Sequence, residues 1–135
     1  MSTALVWFRR DLRLIDHPAL HHAATRHTRV IPVYIHAPQE EAPWQPGAAS
    51  RWWLHHSLTA LDATLRGLGS RLILRQGDSL TTLRQLLRDT GATAVYWNRL
   101  YEPAIIARDR ALKTALHTDG IHAESHQAAL LLEPW

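Results

Sequence analysis

Five short apolar runs rich in β-forming residues recur along the chain, each separated from the next by a segment with helical spacing, and this alternation leaves few folds open. The runs are residues 4–8 (ALVWF), 30–35 (VIPVYI), 71–74 (RLIL), 94–97 (AVYW) and 121–124 (IHAE). Runs this short, and without strict apolar–polar alternation, suit strands covered on both faces. The intervening segments predict helices over 19–27, from Ser50 to 67, from Asp78 or Ser79 up to Gly91, and from Pro103 to about 117. In the second of these, Leu54, Leu58, Leu61, Leu65 and Leu68 recur at alternating spacings of four and three, which lines one helix face for core or interface. Leu20, Ala23 and Ala24, then Leu80, Leu83, Leu86 and Leu87, then Ile105, Leu112 and Leu116 supply the inner faces of the others. Asp16 and Ser50 read as N-caps, Pro18 and Pro103 as first-turn prolines, and Gly67, Gly69, Gly91 and Gly120 as stops.

Strands alternating with helices in this way imply βαβ units and a parallel sheet. Such a chain starts in the middle of the sheet, winds one way for strands two and three, and returns for four and five. The expected fold is therefore a three-layer α/β, Rossmann-like domain over residues 1–135, with a five-stranded parallel sheet in the order 3-2-1-4-5. Pro32 argues against a central position for the second strand, because proline removes a ladder hydrogen bond. Residues 36–49, with three prolines and Gly47, read as a long surface connection.

In a sheet of this order the ligand crevice lies outside the carboxyl ends of strands one and four, where the winding reverses. Two polar loops leave the sheet there, Arg9-Arg10-Asp11-Leu12-Arg13 and Asn98-Arg99-Leu100-Tyr101-Glu102. Asp11 and Arg13 read as a local ion-pair network that locks the first turn. Arg9 and Arg10 are left to hold an anionic ligand or a neighbouring domain. Arg51, at the start of the long helix, reaches the same crevice or is an ordinary exposed charge. A nucleotide facing Gln76-Gly77-Asp78 at the end of strand three is the alternative reading of the site.

Several chemistries are excluded. With no cysteine there is no disulfide, thiolate metal site or cysteine nucleophile. No G-x-G-x-x-G or Walker loop follows a strand, no nucleophile elbow surrounds a serine, and no catalytic constellation emerges. Among ten histidines, His17 and His21 share a helix face, whereas His21-His22 and His55-His56 are neighbours that point apart. Without a matching carboxylate they read as solvated helix surface, and no metal is expected. Fifteen basic residues against twelve acidic ones give +3, a balance that admits a nucleic-acid partner without requiring one. Six tryptophans against one phenylalanine read as core and interface packing. No run is long enough to span a membrane, so a cytoplasmic monomer is expected.

Leu5 to Arg13 (LVWFRRDLR), followed by Asp16, then Tyr96-Trp97-Asn98-Arg99 with Tyr101-Glu102-Pro103 and Arg108-Asp109, resemble the photolyase/cryptochrome family. Specifically, they resemble the N-terminal α/β antenna domain of bacterial deoxyribodipyrimidine photolyases. The resemblance implies light-driven repair of cyclobutane pyrimidine dimers by the full-length protein, with cryptochrome-type signalling as the alternative. It also implies that FAD and damaged DNA bind a C-terminal helical domain beginning where this chain ends. The α/β domain would hold an antenna chromophore, contact its own C-terminal domain and make no bond itself. The antenna site carried over is Phe8, Arg9, Arg10, Tyr34, Ile35, His36, Arg51, Asn98 and Leu100. Folate-binding members carry an Asn-Glu pair where this chain has Ala104 and Ile105, which favours a deazaflavin or flavin over methenyltetrahydrofolate.

Overall fold

The computed structural model describes residues 2–37 and 48–127. Among the described residues nine elements follow one another: β1 (Thr3–Phe8), α1 (Pro18–Arg26), β2 (Arg29–His36), α2 (Ala48–Gly67), β3 (Ile73–Gln76), α3 (Ser79–Thr90), β4 (Ala94–Asn98), α4 (Pro103–Thr118) and β5 (His122–His126). The strands form one sheet in the order β3-β2-β1-β4-β5, every neighbouring pair parallel. This is the α/β topology expected from the alternation of runs.

All six residues of β1 are buried, and strand alternation divides them between two cores. Ala4, Val6 and Phe8 pack with Ala19 and Ala23 of α1 and Leu61 and Leu65 of α2. Leu5 and Trp7 pack with Leu83, Leu86 and Leu87 of α3 and Leu112 and Leu116 of α4. Two helices thus cover each face of the sheet, and β1 and β4 at its centre are each paired on both sides over four positions, Ala4 to Trp7 and Ala94 to Trp97.

Several local expectations are corrected. Ser50 lies within α2, which is already helical at Ala48, so it is not the cap. Asp16 adopts a left-handed φ of 53°, and the cap of α1 is His17, whose side chain accepts from the Leu20 N–H. Ala24 is exposed rather than inward. Leu68 is 72% exposed because α2 stops at Gly67, before the leucine stripe does. β3 starts at Ile73, two residues late, because the Leu72 N–H is taken by Asp62 Oδ1 of α2 at 2.9 Å. β5 starts at His122, since the Ile121 N–H closes the end of α4 on the Leu116 carbonyl at 2.9 Å. Pro32 does sit in an inner strand. β3 pairs with β2 only from Val33 onward, so at Pro32 the ladder has a partner on the β1 side alone.

Asp78 caps α3 by accepting from the Thr81 N–H at 2.9 Å, and Gly91 ends it in the left-handed conformation. Most of the connection expected over 36–49, and the last apolar patch at 130–132, lie outside the described residues. No helix among the described residues is long and apolar enough to cross a membrane.

Candidate functional site

The carboxyl ends of β1 and β4 bring the two polar loops together, and most of their charge is spent on each other. Arg9 leaves β1 with its side chain almost wholly buried. Its Nη1 donates to Asp109 Oδ2 of α4 at 2.7 Å, its Nη2 to the Asn98 carbonyl at 2.5 Å, and the guanidinium lies 4.9 Å over the Trp7 ring. Burial lowers the Arg9 pKa, and the Asp109 carboxylate opposes that shift. Arg108 also pairs with Asp109, at 3.0 Å, and lies 5.4 Å from Trp7 on its own account.

Asp11 forms the second half of the network. Its carboxylate accepts from the Arg9 backbone N–H at 3.0 Å and from Asn98 Nδ2 at 2.5 Å, with His17 Nε2 3.0 Å away. The His17 contact is at ion-pair distance but off line for a hydrogen bond, which leaves that buried nitrogen poorly satisfied. His17 Nδ1 accepts from the Leu20 N–H at 3.1 Å, so the ring proton sits on Nε2, facing Asp11. Burial alone would raise the Asp11 pKa. The contacts from His17, the Arg9 N–H and Asn98 outweigh it and leave the pKa lowered. Asn98 Oδ1 accepts from the Ala19 N–H at 3.0 Å, which ties β4 to the first turn of α1.

This geometry changes the roles read from the sequence. Arg9 is a buried structural cation rather than a ligand-holding one. Asp11 does lock the turn, but its partners are His17, Asn98 and the Arg9 backbone. Arg13 instead donates to the carbonyls of Ile15 and Asp16, both at 3.1 Å. Arg10 is half-exposed and pairs with Glu102 across the loops. Burial would raise the Glu102 pKa, and the Arg10 contact more than reverses this. His17 is buried in the network rather than lying on a solvated helix surface.

The remaining expected residues fall on two sides of this plug. Phe8 is buried against His17, and Tyr34, opposite it in register, is half-buried on the same α1/α2 side. His36 ends β2 beside Gln76, half-buried. Arg51 is exposed near the start of α2. Ile35 faces the other core, under α3. Leu100 lines a cavity of about 250 Å³ on the α4 side with Trp97, Arg99, Tyr101, Arg110 and Lys113.

That cavity has no counterpart among the expected sites. Its signal was the stripe Ile106, Asp109, Arg110 and Lys113 on one face of α4, next to the loop after β4. Trp97 Nε1 is buried there with no hydrogen-bond partner among the described residues. Trp97 is 1% exposed and meets the cavity only at its edge, and the exposed ring of Tyr101 with the cations Arg99, Arg110 and Lys113 around Asp109 suits a ligand carrying negative charge. Enclosed small-molecule pockets run to about 300–1,000 Å³, so the cavity takes a ring-sized portion of a larger ligand.

A family model described as DNA photolyase matches residues 4–135. The chain belongs to the DNA photolyase family. The photolyase-family relatives include the deoxyribodipyrimidine photo-lyase of Agrobacterium fabrum, 48% identical over 133 residues, which are 98% of this chain and 27% of that protein. Cryptochrome-1 of Arabidopsis thaliana is 46% identical over 133 residues, 98% of this chain and 19% of that protein. Among solved structures, a bacterial class III photolyase from Agrobacterium tumefaciens superposes with a TM-score of 0.90 at 46% identity, over 98% of this chain and 27% of that one. An archaeal photolyase from Sulfolobus tokodaii, described with two FAD molecules and an implied novel light-harvesting cofactor, superposes at 0.84 with 30% identity, over 93% of this chain and 29% of that one. The chain thus spans between 19% and 29% of the length of these relatives.

Proposed function

We propose that this chain is the light-harvesting antenna domain of a photolyase. The observation that carries the reading is that nearly the whole chain superposes, at a TM-score of 0.90, on one part of a photolyase about four times its length. In that reading the domain binds a chromophore at the carboxyl edge of the sheet and passes excitation to an FAD held elsewhere in the whole protein, which repairs cyclobutane pyrimidine dimers in damaged DNA. The described domain contributes no acid, base or nucleophile to that chemistry.

The chromophore class is a flavin or deazaflavin, in keeping with Ala104 and Ile105 in place of an Asn-Glu pair and with the second FAD described for the Sulfolobus protein. Tyr34, His36, Arg51 and Arg10 provide the polar and aromatic contacts, while Leu100 closes the far side. Phe8, Ile35, Arg9 and Asn98 support them from below, through the core and the Asp11–Asp109 network. Planar stacking on an aromatic and charge pairing with arginine are the interactions such a ligand offers.

Titration of the chain with FAD, FMN, a deazaflavin and methenyltetrahydrofolate, followed by absorbance, tests this. Saturable binding of a flavin or deazaflavin, weakened at least tenfold by Arg51→Ala, is expected. Binding of none of the four overturns the antenna role. Loss on Arg110→Ala with Arg51→Ala unaffected moves the site to the Trp97 cavity and overturns the lining assignment. A signalling role is the second reading, favoured by the 46% identity to a plant cryptochrome. Reversal of dimers under blue light by the whole protein decides for repair, and its absence decides for signalling.

A further inference from the structure

On the side of the sheet that carries α1, far along the chain from the Arg9 network, β5 reads His122-Ala123-Glu124-Ser125-His126. Alternation along the strand sends Ala123 into the α3/α4 core and leaves His122, Glu124 and His126 on the α1 face. Glu124 sits between the two imidazoles: Oε1 is 3.0 Å from His122 Nε2 and Oε2 is 2.5 Å from His126 Nε2. From α1, His22 lays its ring flat on that of His126, with centroids 4.0 Å apart and planes within 5°. One donor atom each from His22, Glu124 and His126 lies within 4.8 Å of the other two.

We propose that His22, Glu124 and His126 form a divalent metal site of the zinc type, bridging α1 and β5. Two imidazoles and a carboxylate are a donor set that zinc accepts, with bonds of about 2.0–2.2 Å. Tetrahedral bonds of that length place the ligand atoms about 3.4 Å apart, so the directly bonded Glu124 Oε2 and His126 Nε2, now 2.5 Å apart, open slightly while His22 draws in. The stacked rings cannot both point at one ion as they lie. His22, half-buried at the helix surface, turns about its side-chain torsions so that its lone pair converges with that of His126. His122 lies on the same strand face but outside this group, against Glu124 Oε1, and water fills the fourth position.

The competitor is Arg26, one helical turn after His22. Its Nη1 spans both Glu124 oxygens at 2.7 and 2.8 Å. The Arg26 side chain is 47% exposed, so a metal ion that takes the carboxylate displaces it into solvent. Exchange of one cation for another gives the site a signature that a plain surface ion-pair network lacks. Removing Arg26 strengthens metal binding.

The chain, stripped with a chelator, is titrated with Zn²⁺ by calorimetry, with Mg²⁺ as the hard-cation control and far-UV circular dichroism of every variant as the folding check. One zinc per chain and no magnesium binding are expected. His22→Ala and His126→Ala each weaken zinc at least tenfold, and Arg26→Gln tightens it severalfold. Absence of stoichiometric zinc binding, or binding unchanged by both histidine substitutions, overturns the site. So does a loss of affinity in Arg26→Gln, a substitution at an exposed position that serves even if a histidine variant misfolds.

Discussion

At the scale of single residues, the Arg9–Asp109 pair shows how unevenly a buried ion pair depends on its two members. Asp109 faces two guanidiniums, Arg9 at 2.7 Å and Arg108 at 3.0 Å, and only the first is deeply buried. Asp109→Asn leaves the Arg9 charge in a site with little water and only the weaker field of Asp11 to oppose it, a situation that costs about 3–5 kcal/mol. Arg9→Met leaves Asp109 still paired with Arg108 and adds apolar surface beside Trp7, so it costs less. Urea unfolding of the two variants checks this, and equal losses would contradict the asymmetry. Asp11 gives the matching pH dependence. Its pKa in the folded chain is below the ordinary 3.8, so its contribution is present above that value and drains away as the pH falls through the lowered one. Asp11→Asn should lose about 2 kcal/mol near neutral pH, the scale of hydrogen bonds to a charged group. The gap to the parent should close as unfolding is measured at progressively more acid pH.

At the scale of elements, the helix ends are where the chain was least legible. Asp16 and Ser50 have the right chemistry for caps, yet the chain turns into α1 with Asp16 in a left-handed conformation and His17 capping, while α2 is helical from Ala48 onward. Cap propensity ranks candidates within a turn, and tertiary packing chooses among them: His17 is drawn inward by Asp11 and Asn98, partners about six and eighty positions away. Gly91 was legible because its requirement is local. It ends α3 at a φ of 72°, its N–H bonded to the Leu87 carbonyl at 3.0 Å. A Cβ there would meet nothing within 4 Å, so Gly91→Ala has no clash to relieve and carries only the backbone cost of a left-handed alanine, about 1–2 kcal/mol. Chemical denaturation should show that loss with an unchanged far-UV spectrum. A loss of several kcal/mol would mean that the turn packs more tightly than the open space around Gly91 allows.

At the scale of the molecule, the strand order was readable because the run-and-helix rhythm and the winding rules constrain the whole chain at once, and the meeting of the two polar loops followed from that order. What those loops do when they meet was not readable. Arg9 looks the same in sequence whether it faces a ligand or Asp109, one hundred positions on. The histidines of α1 show no metal pattern until β5 is laid beside them. The same long-range pairing makes a prediction about folding. β1 is paired to β2 over six positions and to β4 over four, with all of its residues buried, and Arg9, Arg10 and Arg26 reach Asp109, Glu102 and Glu124 in the C-terminal half. Neither half of the sheet can come apart without exposing β1, so no sub-unit is left with a core of its own. Unfolding should therefore be a single cooperative transition. The emission of Trp7 and Trp97, packed edge to face at 5.6 Å in one core, and the far-UV signal of all four helices should then give superimposable urea curves. To leave Trp7 and Trp97 as the emitting pair, the comparison is made in a background in which Trp44, Trp52, Trp53 and Trp135 are all replaced by Phe. Separate midpoints for the two probes would show that the α1/α2 and α3/α4 layers unfold independently, and that the network joining the loops does not couple them.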